Sequence, residues 1–267
     1  MNARKAVTYC RNCGSPLEQY RIRFLADGHR DDAEAAGLLE ALESPGGGFP
    51  YNLKPGNPAC LSETAAQLST MLDLELREAP VTSRTCDFLL AHQWDDGGWD
   101  ENPELLSLNP PPWDRPHELN TRTWLSGEII RQLAHTSVGE SEELKHGCGF
   151  LMSHFDGIRI KGYQIGSAIG LAAITLISPE EARHLGLLLS TVRDWTAAEN
   201  DPAFLNWYLE CYMDCGLTRQ DPSVAECMEK LEGLQHADGF WGGGDGPQYA
   251  INTTINALKH LKWAGRW

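Results

Sequence analysis

The chain has 267 residues, of which 42% are hydrophobic and 22% charged, with a formal net charge of −15 at pH 7. That length carries a substantial core in one large domain or two small ones, and the composition is that of a globular chain. The negative balance repels a phosphate backbone and excludes duplex nucleic acid as a natural partner; no apolar run is long enough to span a membrane.

The first residues, MNARKAVTYCRNCGSP, have basic side chains but no apolar stretch, so they do not read as a secretory signal. The eight cysteines are scattered through an enzyme-sized chain, which points to reduced thiols and a cytoplasmic setting. Cys10 and Cys13, followed by Gly14, make half of a zinc-ribbon knuckle with no second pair to complete it. Residues 1–30 are read as an N-terminal segment, and 31–267 as one repeat domain.

From residue 31 onward one design recurs: a helix, a glycine-containing turn, then a more apolar helix. The first copy has an outer helix over 31–42, the turn Gly46-Gly47-Gly48-Phe49 and an inner helix over 61–76. The second has an outer helix over 83–92, the turn Asp96-Gly97-Gly98-Trp99 and an inner helix over 120–135. Between them, Pro103 to Glu118 is a long insertion stiffened by five prolines. The third copy is worn and keeps Phe155-Asp156-Gly157 before a small-residue helix after Tyr163. The fourth has lost its glycines, with two apolar helices around the polar break Asn200-Asp201-Pro202. The fifth, 223–263, is the best preserved. Ser178-Pro179, Asp201-Pro202 and Asp221-Pro222 predict capped helix starts, and Gly216 predicts a helix end. No strand pattern of useful length is present. Long turns and apolar second helices favour a closed double ring of about five to six hairpins over an open solenoid.

Gln235-His236-Ala237-Asp238-Gly239-Phe240-Trp241 and Gln93-Trp94-Asp95-Asp96-Gly97-Gly98-Trp99 resemble the QW motif of squalene–hopene and oxidosqualene cyclases. They also resemble the Gln-x-x-Asp-Gly-Gly-Phe repeat of protein prenyltransferase β subunits. The resemblance implies an all-α fold, the α/α toroid, with functional residues at the starts of the inner helices around a central cavity. In physical terms the motif is a brace. Glycine permits reversal at positive φ, Asp caps, the aromatic fills the gap between hairpins, and the Gln amide bridges backbone groups.

The resemblance offers two chemistries. Prenyltransferases hold zinc with an Asp-x-Cys and a later His; here Cys60 is present, but Pro58 stands at the Asp position and Asn120 and Asn252 at the His positions. A rearranged zinc site would use Cys60 and His117. Type II cyclases protonate with Asp-x-Asp-Asp-Thr-Ala; the match is Cys60-Leu61-Ser62-Glu63-Thr64-Ala65, with Ser62 where the proton-donating Asp stands. Asp95, Asp96 and Asp100 lie in a turn and read as capping residues, so an aspartate-rich diphosphate site is weakly supported.

The expectation is therefore an isoprenoid or similarly apolar small molecule bound in the central cavity, with metal-free, acid-initiated cyclisation or isomerisation. Glu63 and Asp201 are the candidate catalytic acids, and Asn120, Trp124, Tyr163, Trp207 and Asn252 the candidate substrate contacts. No metal ligand set and no cofactor is assigned, zinc entering only through the prenyltransferase alternative. The other alternative is a non-catalytic lipid-binding or interaction toroid. A partner subunit or a homo-oligomer fits the small size of the chain.

Overall fold

The computed structural model describes residues 1–244 and 246–267. In chain order its helices are α1 (Ala3–Cys13), α2 (Pro16–Asp27), α3 (Asp32–Glu40), α4 (Leu61–Asp73), α5 (Pro80–Ala91), α6 (Leu119–Leu133) and α7 (Glu142–Ser153). They continue with α8 (Gln164–Ile177), α9 (Pro179–Ala182), α10 (Gly186–Ala198), α11 (Pro202–Asp214), α12 (Pro222–Gly233) and α13 (Ala250–Trp263). Two short strands, β1 (Phe49–Pro50) and β2 (Ala59–Cys60), pair antiparallel with Phe49 opposite Cys60. Among the described residues no helix is long and apolar enough to cross a membrane.

The chain packs as two compact units, Asp32–Val192 and Met1–Asp31 with Arg193–Trp267, the boundary falling within α10. In the unit Asp32–Val192, α4 packs on α5 and α6, and α6 packs on α7 and most extensively on α8. Small residues make that last approach close. A Cβ on Gly166 would lie 3.4 Å from the Trp124 backbone, and one on Gly127 would lie 3.2 Å from Gly170 N. Every residue of α8 from Ile165 to Ile174 is buried, as expected of a helix that is apolar on all sides.

In the other unit, α11 packs on α12 and α13, while α1 and α2 pack on each other and on α13. The N-terminal segment is thus itself a helical hairpin. Ser15 and Glu18 form a capping box at the start of α2, Pro16 takes the first helical position, and Gly28 closes the helix at φ +67. Leu17, Tyr20 and Ile22 are buried.

The expected caps are largely realised. The Asp201 carboxylate accepts the Ala203 N–H and Asp221 that of Ser223. Gly216 sits at φ +76, and its N–H and that of Leu217 close α11 on Met213 O and Tyr212 O. Ser178 makes no side-chain cap, and the helix it opens is only four residues long, so the fourth outer helix is split into α9 and α10. Helix α5 starts three residues earlier than the pattern predicts, because Pro80 occupies the first helical position.

Candidate functional site

Three turns have the same wiring. In each, a main-chain pair closes the loop: Ser44 N to Gly48 O, Trp94 N to Gly98 O, and His236 N to Phe240 O, at 2.8–2.9 Å. In each, the backbone N–H of the following aromatic meets a hydroxyl on the inner helix: Phe49 to Thr64 (2.9 Å), Trp99 to Ser126 (2.8 Å), Trp241 to Thr254 (2.9 Å). The two indoles also donate to the preceding outer helix, Trp99 Nε1 to Leu89 O and Trp241 Nε1 to Leu231 O. Gln93 Nε2 donates to Gly97 O and to Glu143 O, the start of the next outer helix; Gln235 Nε2 donates to Gly239 O and to Asn2 O, at the start of α1. The turns therefore brace neighbouring hairpins, and α1 serves the last turn as the next outer helix.

One of these braces sets up a site. Past Trp99 the chain carries Asp100 and Glu101 into the unit Asp32–Val192, where they are 4% and 1% exposed. Helix α4 begins at Cys60, whose side chain does not cap it. Glu101 supplies the cap from forty residues away: its carboxylate accepts the N–H groups of Leu61 (3.0 Å) and Ser62 (2.7 Å), and that of Asn102 (3.2 Å). Asp100 accepts the His117 N–H and lies 3.2 Å from its ring Nδ1, which ties down the end of the proline-rich insertion. That insertion brings Asp114, 7% exposed, against the start of α4, where it meets the hydroxyls of Ser62 and Tyr51. Ser62 is also a hydrogen-bonding partner of Glu101. Glu63, half-buried, accepts from Gln67 Nε2 (3.0 Å) and from the Asn52 N–H, presented by a backbone at φ +56.

Burial raises all three carboxyls. Asp114 is pushed up to about 7, first by desolvation and then by the charge of Glu101, against the pull of the Ser62 hydroxyl. Glu63 is pushed up to about 6 by desolvation, opposed by Gln67. Glu101 is raised by desolvation and held back by Ser62 and three backbone N–H groups. The charge of Glu101 adds to the rise at both Asp114 and Glu63, so ionising one carboxyl opposes ionising its neighbours. Gln67 is 7% exposed, and its Oε1 has no hydrogen-bond partner among the described residues.

The residues expected to contact substrate fall in both units. In Asp32–Val192, Tyr163 hydrogen-bonds Asn120 and lies within electrostatic reach of Asp114, Arg115 and Glu118; Trp124, 8% exposed, lies where α6 meets α8. In the other unit, Asn252 accepts from Arg21 at 2.6 Å, and Trp207 packs edge-on against Phe204 at 5.7 Å. Asp201, besides capping α11, accepts the Gly244 N–H at 2.5 Å. A concavity of about 470 Å³ lined by Met213, Leu217, Arg219 and Trp263 carries no carboxyl, and no chemistry is assigned to it. Among the described residues no three His, Cys, Asp or Glu side chains are arranged to hold a metal ion. Cys60 Sγ faces the Ser62 hydroxyl at 3.7 Å, with its thiol pushed up by burial, and His117 is engaged with Asp100.

Sequence reasoning nominates Glu63 and passes over its neighbours Glu101 and Asp114. Glu101 lies in an irregular segment and Asp114 in a single 3-10 turn, Pro112–Asp114, too short for a helical period to separate an inward carboxyl from a solvated one. Only the direct attachment of Glu101 to a bracing turn hinted at its place.

No family model matches the sequence, and no curated protein does. Solved structures do. The type II terpene cyclase MstE from Scytonema matches with a TM-score of 0.61 and 13% identity over 99% of this chain and 87% of its own. The fold is an α/α toroid. A protein from Actinoplanes matches at 0.58 and 15% identity, over 98% of this chain and 88% of that one. The ent-copalyl diphosphate synthase from Streptomyces platensis matches at 0.58 and 15%, over 98% of this chain but 50% of the synthase. MstE variants were solved with geranylgeranyl dihydroxybenzoate as substrate and merosterolic acid A as product.

Proposed function

We propose that this protein is a terpene cyclase-like enzyme. It binds an isoprenoid or comparably apolar small molecule and starts a cyclisation or isomerisation with a proton from the carboxyl cluster at the start of α4. Supporting this is one observation above the rest: Glu63, Glu101 and Asp114 converge on the first turn of an inner helix, where burial raises all three. Glu63 is the acid that the sequence nominates and lies on the open side of α4, beside the exposed Ala66. Trp124 and Tyr163, in the same unit, provide aromatic faces for a carbocation. Asn120 hydrogen-bonds the Tyr163 side chain. Asp201, Trp207 and Asn252, which the sequence also nominates, lie in the other unit, and no part in this step is drawn for them. The likeness of fold to type II terpene cyclases supports the substrate class. The reaction as proposed requires no metal ligand.

The test is incubation with geranylgeranyl dihydroxybenzoate in D2O, followed by mass spectrometry. Addition of a deuteron and loss of a proton gives a product of the substrate's own composition carrying one deuterium. Glu63→Gln is expected to lower the rate at least about tenfold; unchanged turnover would remove Glu63 from the reaction. The alternative, a non-catalytic lipid-binding toroid, draws on the Ser at position 62. Tight binding of the same compound without conversion would favour that alternative.

A further inference from the structure

This inference rests on the reading above and concerns how the acid at the start of α4 is set. We propose that Gln67 is a positioning residue for Glu63: its amide engages Oε1 and so leaves the acidic proton on Oε2, while Ala66 keeps that face of the helix open.

The register of α4 makes the case, because α6 carries the same pair in a different setting. On α6, Gln132 Nε2 donates to Glu128 Oε1, four residues back, at 2.7 Å. Arg131 reaches the same carboxylate, Nη2 to Oε1 at 3.0 Å and Nε to Oε2 at 3.1 Å. Both oxygens of Glu128 therefore meet donors, one of them a guanidinium, and the group is held as an anion. On α4, Gln67 Nε2 donates to Glu63 Oε1 at 3.0 Å with the same spacing. The position that holds the arginine on α6, three residues after the Glu, is Ala66 on α4, and it is exposed. Alanine supplies no cation, and its small side chain leaves room to approach the half-buried Glu63 along that face.

The hydrogen-bond inventory then places the proton. An amide N–H only donates, so the oxygen it meets must accept. In the neutral acid that oxygen is the carbonyl one, Oε1, and the O–H falls to Oε2. A carbonyl oxygen accepts twice, so the Asn52 N–H that also serves Glu63 leaves this assignment in place. For the fold alone the amide is a poor choice. Gln67 is buried, and its Oε1 has no hydrogen-bond partner among the described residues. An unmet buried acceptor weakens a fold, and an apolar side chain of similar length would not carry that cost.

In the step itself, the Oε2–H bond breaks as a C–H bond forms at an alkene carbon, leaving a carbocation on the substrate and a carboxylate on Glu63. The Gln67 N–H binds more tightly as that negative charge develops, which makes Glu63 the stronger acid. The final cation loses a proton to solvent, from which Glu63 is reloaded, so no oxidant or reductant enters. The titratable groups facing Glu63 are Glu101 beyond the bracing turn, Asp114 on the insertion and the Cys60 thiol before α4. All three remain in the variants below.

The experiment compares the wild type with Gln67→Met, Gln67→Leu, Ala66→Arg and Glu63→Gln. Turnover of geranylgeranyl dihydroxybenzoate is followed across pH, and urea midpoints are measured. Glutamate carboxyls labelled with 13C are titrated by NMR without substrate, the Glu63 signal being the one lost in Glu63→Gln. Removing the donor in Gln67→Met and Gln67→Leu is expected to move the Glu63 titration, and the fall of turnover, to higher pH by about half a pH unit or more. Below that fall their turnover should drop about fivefold or more, while their urea midpoints match or exceed the wild type. Ala66→Arg should move the titration to lower pH and cut turnover at neutral pH about tenfold or more. The assignment is overturned if both apolar variants keep the wild-type titration, whatever their midpoints. A downward move in them overturns it too, since the amide oxygen would then face the acid, as does an unmoved titration in Ala66→Arg. Should the wild type fail to convert the probe, the functional reading fails for that substrate, and the NMR titration decides the place of the proton separately.

Discussion

At the scale of single residues, the bracing turns depend on contacts that leave no slack. Gly97 lies at φ +86, and a Cβ there would come within 2.5 Å of the His146 carbonyl oxygen on α7. Gly97→Ala therefore combines left-handed strain with a backbone clash and is expected to destabilise by more than about 1 kcal/mol in urea denaturation. Ser126→Ala and Thr254→Ala remove the acceptors for the buried N–H groups of Trp99 and Trp241. Each is expected to cost about 1–3 kcal/mol, and similar costs at the two sites would show the turns to be equivalent. The Gln and glycine positions of these turns were legible in the sequence because a repeat displays them twice. The hydroxyls that meet them were not: Ser and Thr on a helix look alike whether they bond a neighbouring turn or their own backbone.

At the scale of elements, α4 is a helix whose start is satisfied by a residue outside it. Cys60 offers no side-chain cap, and Glu101 takes the N–H groups of Leu61 and Ser62. Glu101→Ala would strand the buried N–H of Leu61 and the half-buried one of Ser62 and is expected to cost about 1–3 kcal/mol. Amide exchange at Leu61 and Ser62 should rise more than exchange in the middle of α4; uniform protection along the helix would refute the cap in trans. Helix α8 makes the opposite point. Its apolar, small-residue sequence already announces a buried helix, and Gly166 and Gly170 show which faces are approached closely. The split of α9 from α10 was not legible, since the Pro and acids of the opening predict a start and say little about an early stop.

At the scale of the whole molecule, the carboxyl cluster links stability to pH. Asp114 has an ordinary value of 3.8 and is held at about 7, and Glu63 rises from 4.5 to about 6. The folded protein therefore binds more protons than the unfolded chain between about pH 4 and 7, and stability falls as pH rises through that window. The contribution of these two groups is fully present below about pH 4 and lost above about 7. Asp114→Asn is expected to flatten the decline, so that its stability relative to the wild type improves from pH 5 to pH 8 in chemical denaturation. A parallel decline in both proteins would place the coupling elsewhere. Turnover that needs a protonated donor should also fall as pH rises past about 7.

The sequence by itself determined the class of fold, because hydrophobic period, glycine turns and bracing aromatics are local features that a repeat writes more than once. It also shows that the start of the inner helix at 61 carries an acid, Glu63. Tertiary structure alone decided what surrounds that acid. Glu101 and Asp114 reach α4 from segments about forty and fifty residues downstream in the chain, and neither segment has a period that tells inside from outside. Their chemistry arises from burial and from each other's charge, and both depend on distances that no stretch of sequence contains.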